Sequence, residues 1–374
     1  MIVKKYSQSA LIPPLTTQYS YDNFKFIRSA LGEVGTFQDL MVKLSDIAKK
    51  LNLSLTTVSR ALNNHKEVSL KTKELVKKAA EEMGYIPNKP ARNLALKKSH
   101  LVGLVYIDNE EPNFYQSFSF EVIAGVRKYF GDTPYDLIIV PGKQKKKVNN
   151  SLKEICYSRG LEGLFVVGIS IDDPYIKELK EDFIPAIIVD YPLLTNKVSY
   201  IQSDNIKGCK LAVNYLVTKG HNKIAFINGH DMAAISSIRL EGYKLSLESN
   251  GLTFDQDIVI SGNYSEKSGY DAAKKLLENK ADFTAIFTAS DLMAVGAIKA
   301  INEYGLKIPE EIAVIGFDDI LLAEYSFPSL TTIRQHKFDL GYKGSKELIR
   351  MIEHPDYIPK RKKVDVELVI RKSV

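Results

Sequence analysis

At 374 residues, with 45% apolar residues and a formal net charge of +6, the chain is long enough for two or three compact units with sizeable cores. Its two cysteines, Cys156 and Cys209, fall in no metal-ligand spacing, which argues for a reducing compartment and against a disulfide framework. No apolar run approaches membrane-spanning length and no basic-apolar-small signal opens the chain, so a soluble, cytoplasmic protein with no membrane partner is expected.

Residues 1–40 carry Pro13-Pro14, scattered aromatics and no sustained period. They are expected to be a disordered or non-native extension, with Met41 a plausible natural start. The next unit, residues 41–97, predicts three short helices. Ile47, Ala48 and Leu51 recur at helical spacing after Ser45 and Asp46, and Val58 and Leu62 recur likewise after Ser54, an N-cap. The three-residue turn between them has Asn52, which tolerates a left-handed backbone better than most residues. A third helix is predicted from Leu70 to Met83, capped by Ser69 and ended by Gly84. Two short helices across a tight turn form the helix-turn-helix pattern, whose second helix enters the DNA major groove. Its outward positions are Leu55, Thr56, Thr57, Ser59, Arg60 and Asn63. Arg60 suits a guanine edge and Leu55 a thymine methyl. Thr57, Ser59 and Asn63 suit phosphates. Charge agrees: residues 41–100 hold 13 Lys/Arg against 5 Asp/Glu, whereas residues 101–374 hold 34 against 37.

The phrases DIA, VSRALN, VS, GYIPN and AR-L make residues 42–96 resemble the DNA-binding headpiece and hinge helix of the lactose-repressor (LacI/GalR) family of bacterial regulators. That resemblance implies that the hinge segment, with Ala91 and Leu94, folds on an operator and pushes Leu94 into the minor groove as an apolar wedge. Two departures from the family pattern are Asn52, where Gly is commoner, and Pro90 in the first turn of the hinge.

From His100 onward short apolar strands alternate with amphipathic segments. The strands are LVGLVYI (101–107), DLIIV (136–140), GLFVVG (163–168), PAIIVD (185–190), SYIQ (199–202), KIAFIN (223–228), TAIFT (284–288), EIAVIGF (311–317) and TTIRQ (331–335). Such runs suit parallel strands buried on both faces, and the alternation predicts an α/β fold of doubly wound parallel sheets. Residues 98–374 are too many for one comfortable sheet, so two lobes are expected. KGHNKIAFI, RLEGY, SDLMAVGAI, IPEEIAVIGFDD, LTTIRQ and VELVIRKS make this part resemble the periplasmic-binding-protein-like core of the same family, an effector-binding and dimerisation domain. By position Asp190, Arg239 and Asp291 match effector-binding residues and Tyr264 an aromatic pocket position, with Phe114, Tyr115 and Phe118 candidates for the roof. Carboxylates and a guanidinium can hold paired sugar hydroxyls. Arg239 and Asp291 also occur in members that bind purines, and only Asp190 leans towards sugar.

The expected partners are therefore a pseudo-palindromic double-stranded DNA operator, a small-molecule effector that is a sugar or else a purine or nucleoside, and a second copy in a homodimer. No cofactor or metal is expected. An enzyme is disfavoured, because no phosphate loop, nucleophile elbow or His metal spacing occurs and the adjacent acids Asp318-Asp319 point apart on a strand. A free sugar-binding transport protein would lack the headpiece and need an export signal.

Overall fold

The computed structural model describes residues 42–86, 98–107, 117–141, 151–279 and 281–374. The extension 1–40, the hinge residues Pro90, Ala91 and Leu94, and the loop residues Phe114 and Tyr115 lie outside the described residues. The chain divides into two compact units between residues 92 and 93.

The first unit holds α1 (Leu44–Leu51), α2 (Leu55–Leu62) and α3 (Leu70–Met83). Each end is set by local chemistry. Asn52 terminates α1 at φ 50°, the left-handed backbone expected of it, and Ser54 starts α2 by accepting the Thr57 amide at 3.0 Å. Ser69 caps α3 through the Thr72 amide, and Gly84 ends it at φ 69°. Helices this short are marginal alone. They are held by one small core of Ile47, Ala48, Val58, Ala61, Val76, Ala79 and Ala80, in which the alanines permit close crossing. At roughly 1.5–3 kcal/mol for a fully buried Val or Ile, the three larger side chains supply most of its apolar stabilisation.

The second unit contains two six-stranded sheets. In the first lobe, β1 (Leu101–Tyr106), β2 (Asp136–Pro141), β3 (Gly163–Val167), β4 (Ala186–Val189), β5 (Val198–Ser203) and β11 (Lys362–Val364) lie in the order β11-β5-β4-β3-β1-β2, all parallel. In the second, β6 (Ile224–Asn228), β7 (Val259–Ser261), β8 (Ala285–Thr288), β9 (Ala313–Asp318), β10 (Thr331–Gln335) and β12 (Val366–Val369) lie in the order β12-β10-β9-β8-β6-β7, with β12 antiparallel to β10. The central strands β3, β4, β6 and β8 are buried throughout, as continuous apolar runs require when helices cover both faces.

Six longer helices clothe these sheets: α4 (Ser117–Gly131), α5 (Leu152–Arg159), α7 (Asn205–Thr218), α8 (Ala234–Ser249), α9 (Glu266–Glu278) and α10 (Asp291–Glu303). The short α6 (Tyr175–Leu179) and α11 (Leu321–Tyr325) and the long α12 (Lys337–Glu353) complete the set. Helix α12 follows a strand of the second lobe yet packs on α4 and on β3, β4 and β5 of the first. The two helices touch backbone to backbone, since a Cβ on Gly125 would stand 2.0 Å from the Phe338 carbonyl and one on Gly341 1.9 Å from that of Val122.

The chain thus passes between lobes three times: from Ser203 to Asn205, from Gln335 to Lys337, and from Val364 to Val366. The first and third passages are clipped together, the Asp204 amide donating to the Val364 carbonyl at 2.8 Å and ion pairs joining Lys207 to Asp365 and Lys363 to Asp204. Strands β7, β11 and β12 and helix α12 were absent from the sequence expectation; the nine expected strands are all present.

Candidate functional sites

On α2, Leu55, Thr56, Arg60 and Asn63 are exposed, and Thr57 and Ser59 are half-buried. The outward face is therefore hydroxyls, an amide, one apolar side chain and one guanidinium. Two of the expected phosphate contacts are already engaged within the helix: the Thr57 hydroxyl bonds to Ser54 at 2.8 Å, and the Asn63 side-chain amide donates to the Ser59 carbonyl at 2.9 Å. Arg60 is held at 2.8 Å by Glu67.

In the second unit a cavity of about 290 Å³ lies at the carboxyl ends of strands from both lobes. Open α/β sheets bind ligands at this edge, where loops rather than strands face the crevice. Asp190 directly follows β4 and takes φ 58°, with its amide bonded to the Ile201 carbonyl. Its Oδ1 is buried without a hydrogen-bond partner among the described residues. Burial pushes its carboxyl up to about 7, against the pull of Arg239 and with the push of Asp318.

Arg239, in the second turn of α8, is 3% exposed and fixed on three sides. Its Nε donates to Asn205 at 2.8 Å, its Nη1 donates to the Ala289 carbonyl, and its guanidinium lies 4.0 Å from the centre of the Phe317 ring. Asp318 stands 4.0 Å from Nη1, at the end of β9, and accepts the Gln335 amide at 2.6 Å. Burial raises its carboxyl, opposed by Arg239 and Lys337. Tyr264 presents its ring from the loop before α9 with its hydroxyl 2.7 Å from that of Ser236, and its ring packs on Gly229, where a Cβ would stand 2.1 Å away. Phe118 reaches the cavity from the first turn of α4. Four of the five expected effector residues, Asp190, Arg239, Tyr264 and Phe118, are thus brought together.

Asp291 is not among them. It is fully buried beneath the cavity wall, where Oδ2 accepts the Ile320 amide at 2.9 Å and Oδ1 the Thr332 hydroxyl at 2.5 Å. As the first residue of α10 it ties that helix to β10 and to the loop after β9, so its oxygens are committed within the protein. The neighbouring Ser290 and Leu292 line the cavity instead. The carboxylate that lines the cavity beside Arg239 is that of Asp318. Its partner in sequence, Asp319, turns away to Arg334 at 2.6 Å and Arg371 at 2.8 Å. Although burial opposes it, these two guanidinium bonds hold the Asp319 carboxyl below its ordinary value.

A helix-turn-helix unit and a two-lobed cavity in one chain match known proteins. Residues 43–88 match the family described as bacterial regulatory proteins, lacI family, and residues 213–374 match a periplasmic binding protein-like domain. The probable HTH-type transcriptional repressor ExuR of Bacillus subtilis (strain 168) is 33% identical over 335 residues, covering 89% of this chain and 98% of that protein. The chain belongs to the lacI family of bacterial regulatory proteins. It is a DNA-binding transcriptional regulator with an effector site, and its relatives are transcriptional repressors and regulators, not enzymes.

Among solved structures, this lacI-family chain is similar to the lac repressor dimer bound to operator and the anti-inducer ONPF, with a TM-score of 0.74 and 26% identity over 89% of this chain and 99% of that one. It is also similar to a complex of the transcriptional regulator CelR with cellobiose, with a TM-score of 0.68 and 29% identity over 89% and 100%. Among the described residues, no helix is long and apolar enough to cross a membrane and no cluster of His, Cys, Asp and Glu is suited to a metal. Sequence reasoning missed Asp318, Gln335 and His230 as cavity residues of this family member. A usable signal was present for Asp318, which closes a buried strand just as Asp190 does.

Proposed function

We propose that this regulator is a cytoplasmic homodimer that represses transcription from a pseudo-palindromic operator and is controlled by a neutral sugar bound in the interlobe cavity. Asp190, Arg239 and Asp318 anchor it, Tyr264 and Phe118 cover its apolar face, and Gln335 adds a further polar contact. On the DNA, Leu55, Thr56 and Arg60 read bases, Thr57, Ser59 and Asn63 meet phosphates, and Leu94, with Ala91, acts in the hinge.

The observation that carries the sugar reading is a pair of cavity-lining acceptors, Asp190 Oδ1 and Gln335 Oε1, that are buried with no partner among the described residues. An unpaired buried acceptor is costly, so the favoured ligand is rich in donors. Two carboxyls facing one guanidinium favour a neutral polyol over a sugar acid or sugar phosphate. A thermal-shift screen of the full chain with neutral sugars, sugar acids, sugar phosphates and nucleobases tests this, because a ligand specific to the folded state raises the apparent Tm. A neutral sugar should stabilise wild type and not Asp190→Asn. Stabilisation by a nucleobase or a sugar acid alone would overturn the reading.

A further inference from the structure

The connection between α2 and α3 places an acid against the recognition helix. Asn64 turns at φ 57°, the His65 amide returns to the Arg60 carbonyl at 3.0 Å, and Lys73 donates to the Asn64 carbonyl at 3.3 Å. Val68 then enters the headpiece core, and Ser69 begins α3. Folded back in this way, the connection presents Glu67, whose Oε2 lies 2.8 Å from Arg60 Nη1. Both side chains are more than half exposed. In water such a pair changes stability by a few-fold at most, so stability is a poor reason for putting a carboxylate on the most basic part of the chain.

We propose that Glu67 is a specificity-determining residue of this regulator, acting through Arg60. It rests on the reading of Arg60 as a base contact. With Nη1 engaged by Glu67 and the Arg60 side chain half exposed, the Nε and Nη2 edge of the same planar group is not taken up by that ion pair, and a guanidinium so held needs less ordering to meet the O6 and N7 of a guanine. On a sequence without that guanine, an untethered Arg60 would swing to the nearest phosphate and gain affinity that carries no information. Glu67 opposes this in two ways. It competes for the guanidinium, and its own charge is repelled by the phosphates, which the guanine contact offsets and a random site does not. Discrimination comes from weakening the wrong complexes as well as from strengthening the right one.

The test uses the full chain and a random duplex pool, sequenced after selection, with wild type, Glu67→Gln, Arg60→Ala and the double variant. Glu67 is exposed, and circular dichroism checks that each variant keeps its helices. Three results are expected. Glu67→Gln binds random DNA about tenfold more tightly, with a salt dependence steeper by about one phosphate contact. It also flattens the preference at the base pair that Arg60→Ala flattens. In the Arg60→Ala background Glu67→Gln alters no base preference, which a merely structural role would not require. Wild-type preferences in Glu67→Gln, or a loss of preference that persists without Arg60, would overturn the proposal. If Arg60→Ala changed no preference, the reading of Arg60 as a base contact would fall, and the proposal with it.

Discussion

Replacing Asp190 by Asn should stabilise the ligand-free protein above neutral pH while destroying its ligand response. Burial raises the Asp190 carboxyl from its ordinary 3.8 to about 7. At about 1.4 kcal/mol per pH unit, ionising it in the folded state costs at most about 4 kcal/mol. The residue as a whole is only half-buried and borders a cavity open to solvent, so screening reduces the expected effect to about 1–2 kcal/mol. Between about pH 4 and pH 7 the folded chain keeps a proton that the unfolded chain has lost. Stability therefore falls as pH rises through that window, and the full penalty stands above it. Asn carries no such penalty, and the loss of a like charge beside Asp318 acts in the same direction. Thermal unfolding of wild type and variant without ligand, at pH 5 and pH 8, measures the difference. The variant should gain a Tm advantage of several degrees between the two. An equal difference at both pH values, or a less stable variant at pH 8, would refute the reasoning.

Asp291→Ala should act on the fold, because it strips partners from the Ile320 amide and the Thr332 hydroxyl; urea unfolding should show a loss of about 2–4 kcal/mol. A fully stable variant with altered ligand affinity would return Asp291 to the site. Gly296→Ala should cost about 1–3 kcal/mol, since a Cβ there would stand 1.9 Å from the Glu266 carbonyl and force α9 and α10 apart; the urea midpoint reads this directly. Burial pushes the Cys156 and Cys209 thiols up to about 12, so a thiol-reactive dye at pH 8 should label neither in the folded protein and both in denaturant.

The headpiece was legible almost to the residue, because caps and turns are local chemistry: Ser54, Ser69, Asn52 and Gly84 each perform the task that their side chain or backbone suits. The central strands were legible because burial on both faces leaves an unbroken apolar run. The elements that escaped lack that signature. Strand β7 is a three-residue edge, and β11 and β12 alternate charged and apolar residues in KKVDVELV. Helix α12 hides its role differently, its pattern saying that it is amphipathic but not that it returns to the first lobe. The site followed the same division. An aspartate at or just beyond a strand end can be found from sequence, but whether its oxygens face a cavity, as in Asp318, or are taken by Ile320 and Thr332, as in Asp291, depends on long-range packing.

The second passage between lobes has a consequence for how the chain is made. Strand β5 ends at Ser203, yet the helix that covers its face begins at Lys337 and the strand that closes its sheet at Lys362. At roughly 5–20 residues per second of synthesis, the first lobe waits on the order of 10 s with Val122, Val126, Phe165 and Ile201 lacking their cover from Leu340 and Leu348. The headpiece, whose core ends at Tyr85, can fold long before. Translation of this regulator thus yields its DNA-reading part first and its switch last, and a chain released before Lys337 carries a complete headpiece with no finished cavity to control it.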